Sequence, residues 1–225
     1  MSNHLNKSRK IVESMRYIMG CGSFLDEFIH YWSFLQSEMY PPSCVTNHEL
    51  FDTEFYKSSS SLTTELANVM LSGLERDPLA ILLSEYSPNE AGGFYPTSSD
   101  ITKLISSLMQ AGKQQSQDHQ SIFECCVGTG GLVFQQIIEI AERNKSWNNP
   151  LRGLAICVED INPVAVKAFF IQFNFLLASL SAEHRKKVVP ELVVIKCVNS
   201  LNQVAKGLEF VLQSPKEFQV SNGQP

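Results

Sequence analysis

The chain has 225 residues and six cysteines, yet no CxxC pair, so the usual zinc-binding signature is missing. It also lacks an excess of basic residues. Lys and Arg total 18 against 23 Asp and Glu, a net charge of −5. That excludes a surface that attracts nucleic acid as a whole, so any such contact must come from a local patch. Two small clusters exist, Lys7, Arg9, Lys10 and Arg16, and then Arg185, Lys186 and Lys187; both read first as solvated helix faces. The opening MSNHLNKSRK leads into no apolar signal core. No run reaches the ~18 apolar residues of a membrane span. The densest, AFFIQFNFLLASL, is broken by Gln172 and Asn174. Cys125, Cys126, Cys157 and Cys197 sit in or beside strand-like runs, where cysteine packs as a small apolar residue. Cys21 and Cys44 complete the set. These absences suit a reducing cytoplasm, without membrane or metal.

What is present is a globular composition, 44% hydrophobic and 18% charged, sized for one α/β domain with a helical extension. Residues 3–39 carry apolar residues at helical spacing, with a break at Gly20-Cys21-Gly22 and Ser23 as a candidate cap of the second helix. Residues 41–61 read as polar and irregular. A helix is expected from about Thr63 to Leu74, another opened by Asp77-Pro78, and a third begun by Asp100. Beyond residue 120 the pattern changes. SIFECCV, LAICV, LVVIKCV and LEFVL read as strands, and LVFQQIIEIAE and PVAVKAFFIQFNFLLASL as helices. Alternation of this kind predicts right-handed crossovers and a parallel sheet. The expected organisation is a helical region over residues 1–90 and an α/β unit over 91–225.

The stretch ECCVGTGGLVF, residues 124–134, lies between the first strand and its helix. Gly128, Gly130 and Gly131 allow a sharp turn and a close approach of backbone to ligand. The pattern is neither GxGxxG nor a P-loop. A tight strand-to-helix turn without a ligand accounts for it equally well. The next strand ends at Glu159 and Asp160, about one βαβ unit later. A carboxylate there can accept bonds from a ribose diol. The third strand runs into Asn199, whose amide can meet an adenine. Three polar strand tips describe a nucleoside-shaped ligand.

Four stretches together resemble the S-adenosylmethionine-dependent N6-adenine DNA methyltransferases, in particular the modification subunits of type I restriction systems. They are ERDPLAILLSEY, GGFYPTSSDITKLISSLM, ECCVGTGGLVF and VEDINPVAV, spanning roughly residues 75–213 in the family's order. The resemblance implies a Rossmann-like, mainly parallel sheet of about four strands after a helical N-terminal region. It implies S-adenosyl-L-methionine as cofactor, with Gly128, Thr129, Gly130 and Gly131 around its amino-acid end and Tyr95 and Thr97 near its carboxylate. Asp160 would hold the ribose, with Glu159 as the second choice, and Asn199 would face the adenine. Glu124 stands where the family has Asp, Tyr-Pro-Thr replaces Tyr-Thr-Pro, and Asn199 replaces an Asp.

The family's catalytic Asn-Pro-Pro-aromatic segment ends the fourth strand, and its aromatic stacks on a flipped base. Here LEFVL runs into Gln213-Ser214-Pro215-Lys216, so Gln213 and Pro215 are the positions implied for catalysis, in degenerate form. The sheet is expected to stop after that strand, leaving it as an edge. Three readings follow. One is a methyltransferase acting on DNA with a second polypeptide that completes the sheet, or with a specificity subunit. Another is a non-catalytic interaction or decoy module. The third is an α/β protein whose turn binds another nucleotide or none.

Overall fold

The structure, a computed structural model, describes residues 3–42, 53–87, 97–111 and 119–218. Among the described residues five helices come first: α1 (Asn3–Ser14), α2 (Cys21–Ser37), α3 (Glu54–Leu71), α4 (Pro78–Tyr86) and α5 (Ser99–Ala111). Then follow β1 (Gln120–Glu124), α6 (Gly131–Arg143), β2 (Leu154–Asp160), α7 (Pro163–His184), β3 (Leu192–Asn199), β4 (Val204–Gln213) and a 3-10 turn over Lys216–Phe218. The expected α/β class and the strand and helix positions beyond residue 120 are met. Three details earlier in the chain differ. α5 begins at Ser99, so Asp100 lies inside its first turn and does not cap it; Ser98 Oγ accepts from Ile101 N instead. Gly20, at φ 83°, precedes α2 in place of the expected Ser23 cap. Helix α3 starts at Glu54, capped by the Thr53 side chain, so the KSSSS run is helical. Ser58 and Ser59 are buried there, small enough to let α3 pack closely.

The sheet order is β1-β2-β3-β4. β1–β2 and β2–β3 are parallel, each joined through a helix. β3 and β4 are antiparallel, with Asn199 opposite Val204 and Leu192 opposite Gln213. Only residues 200–203 separate them. A parallel connection needs a dozen or more residues, so this link permits a hairpin alone. Ile122, Ile156, Ile195 and Phe210 point to one face and join Phe134, Phe169 and Phe173 in the main core. Alternate residues, among them Phe123, Cys157, Val194 and Val211, form a partly exposed row across the other face.

α7 lies between two cores. Phe169 and Phe173 pack toward the sheet, while Ala168 and Ile171 join Phe24, Phe28, Leu62, Leu66 and Leu83 of the front helices. Being buried on several sides, α7 is long and apolar enough to cross a membrane by composition; 72% of its most apolar window is covered by protein. Its Gln172 is fully buried. The Gln172 Nε2 donates to Asp77 Oδ1 (2.7 Å) and to the Thr129 carbonyl (3.0 Å), and Leu79 N donates to its Oε1 (2.9 Å). A buried amide with both ends used ties the start of α4 to the glycine turn.

Candidate functional site

The carboxyl ends of β1, β2 and β3 converge at Glu124, Asp160 and Asn199. Between β1 and α6 the chain turns through Gly128 (φ 56°) and Gly130 (φ 116°). Gly128 N donates to Asp160 Oδ2 at 2.8 Å, and Asn162 N donates to Asp160 Oδ1 at 2.8 Å. The glycine turn and the acidic tip, read separately from the sequence, therefore face one another. Each carboxylate oxygen keeps a further lone pair. A Cβ placed on Gly128 would meet nothing within 4 Å, so that side of the turn is open. Ile161, directly after Asp160, is exposed.

The other turn residues serve the interior. A Cβ on Gly130 would lie 2.4 Å from the Phe134 ring and 2.6 Å from Phe169. A Cβ on Gly131 would come 3.1 Å from Asp77 Oδ2. Thr129 is buried, and its hydroxyl donates to Asp77 Oδ2 at 2.7 Å. Its side chain thus points at α4, away from the open side of Gly128. Asp77 caps α4 by accepting from Ala80 N. Enclosure pushes the Asp77 carboxyl up, and bonds from Gln172, Thr129 and Ala80 pull it partly back. Asp77 and Gln172 were not singled out as site residues by the sequence. The available signal was a carboxylate before a proline and a lone amide in an apolar helix.

Asp77 and Gly131 line a cavity of about 450 Å³, together with Arg76, Thr97, Ser98 and Lys103. Thr97 thus shares a cavity wall with Gly131 of the turn, while Tyr95 lies outside the described residues. Glu124 Oε1 accepts from Cys126 N and shapes the turn. Asn199 Oδ1 accepts from Leu201 N. Glu159 is 7% exposed, and its Oε2 has no hydrogen-bond partner among the described residues.

Gln213 and Pro215 are not brought to this place. β4 runs antiparallel, so Gln213 pairs with Leu192 at the amino ends of the parallel strands. Ser214 N donates to the Glu191 carbonyl, and the Phe218 carbonyl accepts from Asn149 Nδ2. The segment implied as catalytic is held at the opposite pole of the sheet. β4 is an edge strand of the sheet, as expected. Tyr40 meets that edge at one residue, its hydroxyl donating to the Glu209 carbonyl and accepting from Glu209 N. Among the described residues β1 has no neighbour on its outer side.

Taken together, these residues form an open cleft at the carboxyl ends of the parallel strands, the place where ligands meet open α/β sheets in general. Among solved structures, the fold is similar to a Listeria monocytogenes protein assigned as a class I S-adenosylmethionine-dependent methyltransferase. The TM-score is 0.48 at 12% identity, over 84% of this chain and 53% of that one. It is also similar to the methyltransferase subunit of a type I restriction-modification system from Streptococcus thermophilus. There the TM-score is 0.35 at 15% identity, over 55% of this chain and 25% of that one. The chain thus spans about half the length of the first and a quarter of the second. No family model and no curated protein sequence matches it.

Proposed function

We propose that the chain binds S-adenosylmethionine in this cleft, as the cofactor-holding part of a DNA adenine-N6 methyltransferase. The observation that carries the reading is the bond from Gly128 N to Asp160 Oδ2, which sets the glycine turn and the acidic tip together. The residues present suit the group. Gly128 leaves open space, Glu159 offers a carboxylate oxygen without a partner among the described residues, and Ile161 offers an apolar surface to a base. In this reading Asp160 accepts the ribose hydroxyls, with Glu159 in reserve, and the Asn199 amide donates to a ring nitrogen of the adenine. The cavity beside Gly131 takes the amino-acid end, near Thr97 and Tyr95. Its lining carries both signs, Asp77 against Arg76 and Lys103, as a zwitterion requires. When bound, S-adenosylmethionine supplies an electrophilic methyl group; the chain's own residues bind and orient it.

The position of Gln213 and Pro215 favours a second reading, in which this chain alone is a non-catalytic module. Their place at the far pole puts no Gln-Ser-Pro-Lys side chain beside the cleft. DNA and a second polypeptide are the proposed partners. A polypeptide that completes the sheet would join at β1, which has no strand on its outer side among the described residues and where Phe123 is exposed. Helix α5 presents Ile101, Leu104 and Leu108 to solvent while burying Thr102 and Ser106. A specificity subunit is the other form of that partner.

Calorimetry with S-adenosylmethionine tests the cofactor reading; absence of binding heat would remove it. Transfer of a tritiated methyl group to adenine-containing DNA then separates the two readings. Counts at background from the chain alone, restored by a partner, support the first. Background counts under every condition support the second.

A further inference from the structure

A cavity of about 550 Å³ lies apart from the glycine turn, between α2, residues 40–42, the start of α7 and the β3–β4 hairpin. Its charged and titratable lining is Glu27, His30, Tyr40, Lys167 and Lys206. Lys167 is 5% exposed, an unusual state for a lysine. Its Nζ lies 2.9 Å from His30 Nδ1, a hydrogen bond in which an unprotonated Nδ1 accepts from the ammonium. No carboxylate is in ion-pair contact with it among the described residues. It also sits near the amino end of α7, where the helix dipole disfavours a cation. Burial holds both the Lys167 ammonium and the His30 imidazole below their ordinary values. Glu27 acts in the opposite direction on both, from beyond contact distance. Lys206 is exposed on the hairpin.

A buried ammonium is normally matched by a contacting anion. Here the wall where that anion would stand is a cavity of small-molecule size. We propose that this cavity binds a small molecule through one oxyanion group, a phosphate or a carboxylate. Lys167 holds that group at the inner wall and Lys206 at the rim. His30 keeps the lysine aimed by accepting one of its hydrogens.

The test is the melting temperature of the full chain with sodium phosphate or sodium acetate, each against sodium chloride of equal ionic strength. At about ten times the dissociation constant, one of the two should raise the midpoint by about 2–4 °C over chloride. Which anion does so identifies the group. Lys167→Met should abolish the gain and, in chloride, melt no lower than the parent. No gain from either anion over chloride, or an equal gain in Lys167→Met, would overturn the proposal. A measurement on the unaltered protein covers the case of a variant that fails to fold. The His30 ring resonances should shift saturably with the anion; a ring that stays unmoved while the midpoint rises would also overturn it.

Discussion

Gly128 and Gly130 belong to one turn and both hold positive φ, yet a side chain at each would meet opposite surroundings. At Gly130 it would strike Phe134 and Phe169, in the core shared by α6 and α7. At Gly128 it would meet open space, beside a backbone N–H already turned toward Asp160. The same residue type therefore does two jobs. One glycine lets two aromatic helices approach the turn, and the other leaves room where a ligand would lie. A glycine-dense motif does not reveal which is which; the neighbours decide.

The largest expected effect is at Gly130. Gly130→Val combines a clash against two rings with a backbone angle that side chains rarely adopt. It should cost about 4 kcal/mol or more, a large share of a typical stability, measured by urea unfolding. Loss of ligand binding in that variant would report unfolding and say nothing of the cleft. A mild effect, below about 1 kcal/mol, would show that the aromatic packing yields.

Next comes Asp77. Asp77→Ala strands the Thr129 hydroxyl, the Gln172 amide and Ala80 N, and should cost about 2–4 kcal/mol. The pH dependence has a definite sign. The folded-state carboxyl is raised above its ordinary 3.8. Its contribution to stability is therefore full below that value and is lost as pH rises through the folded one. Asp77→Asn should remove this slope. Urea midpoints of parent and variant that run parallel between pH 4 and pH 7.5 would contradict the assignment.

Gly128→Ala should be milder for folding, about 1 kcal/mol for a left-handed angle without a clash. Its Cβ enters the proposed cofactor space, so S-adenosylmethionine affinity should fall about tenfold, equivalent to about 1.4 kcal/mol. The contrast with Gly130 is sharp: one substitution disturbs the fold and the other the ligand. The smallest effect belongs to Gln213→Ala. Placed at the opposite pole, it should change cofactor affinity by less than about 0.5 kcal/mol. A tenfold loss there would mean that the end of β4 reaches the cleft after all.

These particulars also mark what the sequence made legible. Helices α6 and α7, strands β1 to β3, and the Asp77-Pro78 start of α4 follow from local pattern and chemistry, and all are found. The meeting of Gly128 with Asp160 followed from strand adjacency, which topology supplies once the crossovers are right-handed. The direction of β4 was misread because the strand pattern carries no direction. The short link at residues 200–203, not the strand itself, rules out a parallel arrangement. Helix α3 was begun too late because serine runs are poor helix formers alone, and here tertiary packing of Ser58 and Ser59 overrides that preference. The bonds among Asp77, Thr129 and Gln172 span 95 positions of sequence, so no local pattern announces them. Glu159 and Asp160 are adjacent and chemically alike. Only the fold tells that Asp160 holds the turn while Glu159 Oε2 is left without a partner.

The measurement that bears most directly on the account is calorimetric titration of the chain with S-adenosylmethionine, run beside Asp160→Ala and Gln213→Ala. The account predicts saturable heat from the parent and from Gln213→Ala, and at least a tenfold weaker response from Asp160→Ala. Heat that is absent from the parent, or equal in all three proteins, would contradict a cofactor held between Gly128 and Asp160.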